Sequence, residues 1–225
     1  MNQIVAEKSY ISSKLGIAYE NLSQSYLRSI TQLSTNSVVS FSIQKNQVAT
    51  PKVTENLLEL NDIFVATHIA VGLQQVAGTD TPSNLQFLNA EFCTYDDPRI
   101  FTGTNAANVG AIYGGALSFT VDRREVLPSF PMRAFYRAPQ TQTGAFLSTG
   151  GTVGTPVATY TGNTGVNGYD NGLYGFYVLD PIALNGRQTI NIDINLGAAI
   201  AFDDASNSVF SFLELRGYLV VNAKN

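Results

Sequence analysis

Most of the chain alternates between apolar and polar residues with a period of two, the period of a β-strand with one buried face. The clearest case is residues 190–196, where isoleucine and leucine alternate with asparagine and aspartate after the turn dipeptide Asn185-Gly186. Residues 39–43 and 117–121 alternate in the same way. These segments predict strands of an antiparallel sheet with one face on a core and the other in solvent.

Two longer runs complete the predicted β structure. Residues 63–73 predict a strand deep inside a sheet, because both of its faces are apolar. One predicted face consists of Ile63, Val65, Thr67, Ile69, Val71 and Leu73. The opposite face consists of Phe64, Ala66, His68, Ala70 and Gly72. Residues 210–221 predict a last strand that closes the sheet, with Glu214, Arg216 and Tyr218 on its polar side.

The N-terminal part of the chain has a different period. Its apolar residues recur at spacings of three and four, which is typical of one face of a helix: Ile11, Leu15, Tyr19, Leu22, Tyr26, Ile30 and Leu33. Gly16 predicts a break in this helix, because glycine costs about 1 kcal/mol relative to alanine in a helix interior. We expect a helical arm over residues 1–36 that either packs on its own sandwich or clamps a neighbouring subunit.

Composition and length favour a single β domain over residues 37–225. Charged residues make up only 13% of the chain and hydrophobic residues 44%, and glycine, threonine, serine and asparagine fill the difference, as expected for short strands joined by many turns. Residues 138–172 are rich in glycine and threonine and too long for an ordinary hairpin. They predict a surface excursion or two short strands with wide turns.

Charge and hydropathy limit the partners. The net charge is −4 and no stretch concentrates lysine or arginine, so we expect no direct nucleic-acid binding. No apolar run reaches about 18 residues, so we expect no transmembrane helix, and the first residues lack the pattern of a secretory signal. Cys93 is the single cysteine, so no internal disulfide is possible, which fits synthesis and assembly in a reducing cytoplasm.

The residues that carry most enzyme chemistry are scarce. His68 is the single histidine, so a zinc site or a Ser-His-Asp triad has too few candidates. We interpret His68 as a core or intersheet residue with a hydrogen-bond partner, and Cys93 as a small buried residue. The acidic pairs Asp96-Asp97 and Asp203-Asp204 lie in turn-like settings without the spacing of a calcium loop, and we interpret them as solvated. We expect no catalytic residue, metal or cofactor.

One segment has the composition of a protein interface. Residues 129–142 combine aromatic side chains and arginines with prolines that limit pairing within a sheet. The alternative is a sandwich edge whose arginines are neutralised by Glu125 or Asp122. Together with the arm, this segment supplies the predicted subunit interface: Leu15, Tyr19, Leu22, Tyr26, Arg133, Phe135, Tyr136 and Arg137.

Residues 57–73, 96–142, 184–202 and 212–222 resemble virion structural proteins of bacteriophages, in particular capsid proteins of the jelly-roll type. The resemblance implies an antiparallel jelly-roll sandwich and a trimer or pentamer within an icosahedral shell. It further implies that the partners are copies of the chain and other virion proteins, and that the protein is made in the host cytoplasm and resides in the virion. The chain holds one barrel, which leaves a major, vertex, minor or cement role open.

Two other functions compete with this expectation. A carbohydrate-binding or adhesin-like sandwich would present exposed aromatic rings, for which Tyr160, Tyr169, Tyr174 and Tyr177 are candidates. A carboxylate-dependent glycan hydrolase or lyase needs two acidic residues that can be distant in sequence, and nothing marks them here. Our leading hypothesis is a self-assembling capsid protein that is not an enzyme.

Overall fold

The computed structural model describes residues 3–78, 82–97, 100–137, 175–203 and 207–221. Its helices are α1 (Gln3–Leu15) and α2 (Asn84–Asn89). Its strands are β1 (Ser23–Leu33), β2 (Thr35–Phe41), β3 (Ile63–Ala77), β4 (Phe92–Cys93), β5 (Ala116–Val121), β6 (Arg124–Pro131), β7 (Tyr177–Asn185), β8 (Ile190–Ala201) and β9 (Asn207–Val220). Short 3₁₀ helices cover Tyr19–Asn21, Lys45–Gln47, Ala106–Gly114 and Met132–Phe135. The prediction of a mainly β chain is confirmed.

The strands form two antiparallel sheets that face each other. In the first sheet the order is β1-β9-β3, and the far edge of β3 is shared by β7 and the two-residue strand β4. In the second sheet the order is β2-β8-β5-β6. Apolar side chains of both sheets meet in one core, which includes Phe64, Ile69, Phe119, Ile192, Ile194 and Leu213. The predicted antiparallel sandwich is therefore confirmed.

The strands predicted from strict alternation are observed. Val39 and Phe41 of β2, Leu117 and Phe119 of β5, and Ile192 of β8 are all buried in the core. Their polar neighbours lie on the other face, as a period of two requires.

The predicted turn and the last predicted strand take particular places in the sandwich. The turn at Asn185 and Gly186 carries the chain from β7 in the first sheet to β8 in the second. The run predicted to close the sheet forms β9, which instead lies between β1 and β3. It is therefore an internal strand with neighbours on both edges.

A bulge at Thr67 divides β3. The register of β3 with β7 and β9 shifts between Ala66 and His68. Ala66 faces the core before the bulge and Ile69 faces it afterwards, whereas Val65 packs on the opposite side against α1. The predicted face that joins Val65 to Ile69 is therefore wrong, because the extra residue reverses the alternation.

Gly217 of β9 lies opposite the bulge. A Cβ atom at this position would lie 1.8 Å from the carbonyl oxygen of Val65, far inside van der Waals contact. The bulge thus brings the backbones of β3 and β9 so close that only glycine fits.

The predicted helix is correct only as far as Leu15. Gly16 follows it with a φ of +69° and donates its N–H to the carbonyl oxygen of Ser12 at 3.0 Å, which ends the helix. Residues 23–33, predicted as helix, form β1 and pair with β9 from Ser23 to Leu33. The predicted helical arm of residues 1–36 is therefore reduced to α1, because the antiparallel ladder satisfies the backbone of the remainder.

Helix α1 packs on its own sandwich, one of the two arrangements expected for it. Ile11 is fully buried in a cluster with Leu22, Val65, Tyr218 and Val220. A salt bridge from Lys14 to Asp180 ties the end of the helix to β7. None of the helices in the described ranges is long and apolar enough to cross a membrane.

Several sequence predictions fall outside the described residues. They concern the glycine- and threonine-rich segment 138–172 and the residues Asp204, Tyr160, Tyr169 and Tyr174.

Candidate functional site

The space between the two sheets is a packed apolar core. Phe64, Leu117, Phe119, Ile192 and Leu215 are fully buried there. In the part of the chain that the structure describes, no three His, Cys, Asp or Glu side chains come together as a possible metal site.

The outer face of the first sheet is covered at its two ends. At one end α1 packs on Val65 and Tyr218. At the other end the ring of Phe87, in α2, meets Phe210 edge to face, with ring centroids 5.0 Å apart. Phe92 of β4 meets Phe212 in the same way at 4.7 Å.

Next to α1 the outer face forms a groove of about 520 Å³. Its walls come from α1, β1, β3 and β9 and include Glu7, Tyr26, Arg28, His68, Arg216 and Tyr218. A smaller depression of about 110 Å³ adjoins it and shares Arg28, Glu214 and Arg216 with it. We call the larger depression the outer-sheet groove.

A charged cluster forms the floor between the two depressions. Arg28 of β1 and Glu214 of β9 are register partners, and Arg28 donates from Nε and Nη2 to Glu214 Oε2 at 3.0 and 2.6 Å. Arg216 donates from Nε to Glu214 Oε1 at 2.8 Å. The Glu214 side chain is only 6% exposed, so its carboxylate needs both partners to offset the loss of hydration.

Aromatic rings hold the two guanidinium groups in place. The Arg28 guanidinium lies 4.8 Å from the ring centroid of Phe92 and 5.3 Å from that of Tyr26. The Arg216 guanidinium lies 4.0 Å from the ring centroid of Phe176. Stacking of this kind is attractive and fixes the plane in which arginine donates its hydrogen bonds.

His68 lies in the wall of the outer-sheet groove and not between the sheets. The bulge at Thr67 turns it to the outer face, where it is half-buried. A hydrogen bond of 2.9 Å joins its Nδ1 to Thr67 Oγ1, which confirms the predicted hydrogen-bond partner and corrects the predicted intersheet position.

Tyr218 closes the groove toward α1. Its hydroxyl donates to Glu7 Oε2 at 2.9 Å. Burial, followed by this hydrogen bond to Glu7, raises the pKa of the Tyr218 hydroxyl above its ordinary value. Tyr218 therefore stays protonated throughout the neutral range, and the bond that ties α1 to β9 is kept.

The predicted interface residues of the N-terminal part occupy different environments. Leu22 is a core residue beneath α1, and Leu15 packs at the edge of the same cluster. Tyr19 is exposed, with the Lys8 ammonium 5.3 Å above its ring. Tyr26 is exposed and lies in the outer-sheet groove.

In the segment after β6, the aromatic residues anchor and the arginines stay exposed. Phe135 is fully buried in the core. The Arg133 guanidinium stacks 4.6 Å from the ring centroid of Tyr136, whose hydroxyl donates to Asp96 Oδ1 at 3.2 Å. The backbone of Arg137 is held by Thr94 through bonds of 3.1 and 2.7 Å.

The charged partners of this segment differ from those expected for a sandwich edge neutralised by Glu125 or Asp122. Burial, followed by the nearby Asp96 carboxylate, raises the pKa of the Tyr136 hydroxyl. Within the described ranges, neither arginine of the segment forms a salt bridge with Glu125 or Asp122. We refer to Arg133, Tyr136 and Arg137 as the arginine patch.

The acidic pair beside this patch is structural. Asp97 is buried and accepts a hydrogen bond of 2.7 Å from the Tyr95 hydroxyl. The interpretation of Asp97 as a solvated turn residue is therefore wrong, because its carboxylate lies inside the fold with a tyrosine partner.

The outer-sheet groove was not predicted as a site. The sequence places Glu214 and Arg216 on the polar side of the last predicted strand, and this local pattern is the signal that could have indicated a polar outer face. Arg28 and Glu214 are 186 residues apart, and only the pairing of β1 with β9 brings them together.

Comparison with known proteins finds no family model, no curated protein and no solved structure that matches the chain. The functional argument therefore rests on the sequence and on the geometry described above.

Proposed function

We propose that this chain is a structural capsid protein with a jelly-roll fold that self-assembles into the shell of a bacteriophage virion and is not an enzyme. In this proposal its partners are further copies of the chain and other virion proteins. It is made in the host cytoplasm and becomes part of the virion.

The strand order carries this proposal. If the two-residue strand β4 is left out, the remaining eight strands have the order 1-8-3-6 in the first sheet and 2-7-4-5 in the second. An eight-stranded jelly roll, in which two Greek keys fold across each other, has this order, and the fold is shared by viral capsid proteins, lectins and cupins. The order thus supports a jelly roll, and a capsid protein is one of the known uses of that fold.

The filled interior favours a capsid protein over a cupin. Cupins bind a metal inside the barrel through several histidines. Here the corresponding space is occupied by apolar side chains such as Phe64 and Phe119, and His68 lies on the outer face. A shell subunit needs a rigid core and contact surfaces, and no interior pocket.

The arginine patch favours contact with another protein. Arg133 and Arg137 are exposed, and Arg133 is stacked on Tyr136. Arginine and tyrosine are enriched in protein interfaces because they combine apolar area with directional donors. The choice of a virion protein in particular comes from the sequence resemblance of residues 57–73, 96–142, 184–202 and 212–222.

Light scattering combined with thermal unfolding tests the proposal. We expect Arg133→Ala and Arg137→Ala to reduce assembly while the midpoint of unfolding stays unchanged, because both side chains are exposed. Arg124→Ala is the matched control, since Arg124 is an exposed arginine of β6 outside the patch. Normal assembly of both patch variants, or an equal loss in the control, would remove the patch from the interface.

A further inference from the structure

We infer that the outer-sheet groove is a binding site for a neutral saccharide. This activity goes beyond assembly, because it concerns a small ligand on the outer face of the first sheet and not a contact between copies. The three side chains that we assign to the contact are Arg216, His68 and Tyr26.

The charges around the groove balance. Arg28 and Arg216 contribute two positive charges, and Glu7 and Glu214 contribute two negative charges, so the arginines and glutamates of the walls sum to zero. A site for a phosphate or a polyanion needs a surplus of positive charge, and a cation site needs the reverse. The balance favours a neutral ligand that both donates and accepts hydrogen bonds, as sugar hydroxyls do.

The polar side chains in the groove are already held in fixed orientations. Arg216 is bound through Nε to Glu214 and stacked on Phe176, yet its side chain is 43% exposed. His68 is held by Thr67 through Nδ1. Groups fixed before binding lose little conformational entropy when a ligand arrives, so even a shallow groove can bind usefully.

An exposed aromatic ring completes the site. Tyr26 is 41% exposed and lies in the groove wall beside the Arg28 guanidinium. The apolar C–H face of a sugar ring packs on a tyrosine ring, while the sugar hydroxyls reach the polar groups around it. The ion pair with Arg28 accounts for the burial of the Glu214 carboxylate. It does not account for the exposure of the Tyr26 ring and the Arg216 guanidinium beside that carboxylate.

The size of the groove agrees with this assignment. Its volume of about 520 Å³ lies within the range of about 300–1,000 Å³ that is typical of small-molecule sites.

The first experiment applies the full-length chain to two panels of immobilised oligosaccharides, one neutral and one carrying uronic or sialic acids. We expect binding to members of the neutral panel. Preferred binding to the acidic panel, or binding to neither panel, would overturn the inference.

The second experiment titrates the best neutral oligosaccharide into variants by calorimetry. Loss of a charged hydrogen-bond donor or of the stacking ring should weaken binding about tenfold or more in Arg216→Ala and Tyr26→Ala. The matched controls Arg187→Ala and Tyr10→Ala replace exposed residues outside the groove and should bind as the unchanged chain does. Equal weakening in the controls would overturn the assignment.

Folding and assembly are measured on the same samples. Tyr26→Ala replaces an exposed side chain, so it remains a valid test if Arg216→Ala fails to fold. Saccharide binding by a chain that does not assemble, or assembly by a chain that binds no saccharide, would separate the failure of one proposal from that of the other.

Discussion

The two faces of the first sheet are built from the same strands and differ in the residues that cover them. In β9, Leu213 and Leu215 point into the core, whereas their neighbours Glu214 and Arg216 lie on the outer face. The inner face is covered by the second sheet. The outer face is covered at one end by α1 and at the other by α2. Between them lie the charged side chains of Arg28, Glu214 and Arg216, with aromatic rings around them.

We expect this difference to separate stability from ligand binding. On the inner face the side chains are enclosed by apolar neighbours, so substitutions there change the free energy of unfolding. On the outer face Glu214 is buried between two arginines. The guanidinium of Arg216 and the ring of Tyr26 remain accessible to solvent. Substitutions of the exposed residues should change binding and leave the fold intact.

The largest expected effect comes from the inner face. Phe119→Ala removes a fully buried ring from the core and should lower the free energy of unfolding by about 3–5 kcal/mol. Urea unfolding measures it. Leu60→Ala, at an exposed position, is the control and should change it by less than about 0.5 kcal/mol. Similar values for the two variants would mean that the space between the sheets is not the core.

The next effect tests the bulge that separates the two faces of β3. Gly217→Ala places a Cβ atom against the Val65 carbonyl oxygen and should cost about 1–3 kcal/mol, because the two backbones cannot separate without breaking the ladder. Gly114→Ala is the matched control, since nothing lies within 4 Å of a Cβ atom there. A neutral Gly217→Ala in chemical unfolding would contradict the close approach at the bulge.

A smaller effect is expected for the charged floor of the groove. Arg28→Ala leaves Glu214 with one of its two partners and should cost about 2 kcal/mol, less than a fully broken buried pair because Arg216 remains. Lys45→Ala breaks the exposed pair with Glu59 and should cost less than about 1 kcal/mol. If thermal unfolding ranks the two variants in the opposite order, Glu214 does not depend on Arg28.

The smallest effect concerns two buried tyrosines. Tyr218→Phe removes the bond to Glu7 and should cost about 1 kcal/mol. In Tyr113 the buried hydroxyl has no hydrogen-bond partner among the described residues, so Tyr113→Phe should be neutral or stabilising. A destabilised Tyr113→Phe together with a neutral Tyr218→Phe in urea unfolding would reverse these assignments.

The raised pKa of Tyr218 also gives a pH dependence. In the unfolded chain the Tyr218 hydroxyl ionises near the ordinary tyrosine pKa of about 10. In the folded protein the same hydroxyl still keeps its proton at that pH. The stabilising contribution is therefore complete below about pH 10 and declines as the pH rises above it. Tyr218→Phe should show a shallower alkaline loss of stability than the unchanged chain.

Much of the sandwich could be predicted from the sequence because its strands have one buried face. Residues 117–121 and 190–196 alternate strictly and lie within β5 and β8, and the alternation of residues 39–43 is a strand as far as Phe41, where β2 ends. Residues 23–33 were not, because β1 has apolar residues on both faces: Leu27 and Leu33 point into the core, and Ile30 packs under α2. Interleaving of the two sets produces spacings of three and four that imitate a helix.

The candidate sites were less accessible to sequence reasoning. The arginine patch was found because its aromatic and basic residues are adjacent in the chain. The outer-sheet groove depends on the register between β1 and β9 and on the bulge that turns His68 outward. No local pattern specifies either, because both result from long-range pairing.

Our central proposal is that copies of this sandwich assemble with one another into a shell. Electron microscopy of negatively stained full-length protein, with its mass measured over a range of concentrations, tests that claim most directly. We expect closed oligomers of defined size, such as trimers or pentamers, or larger particles. A single monomeric species at the highest concentration would contradict the account.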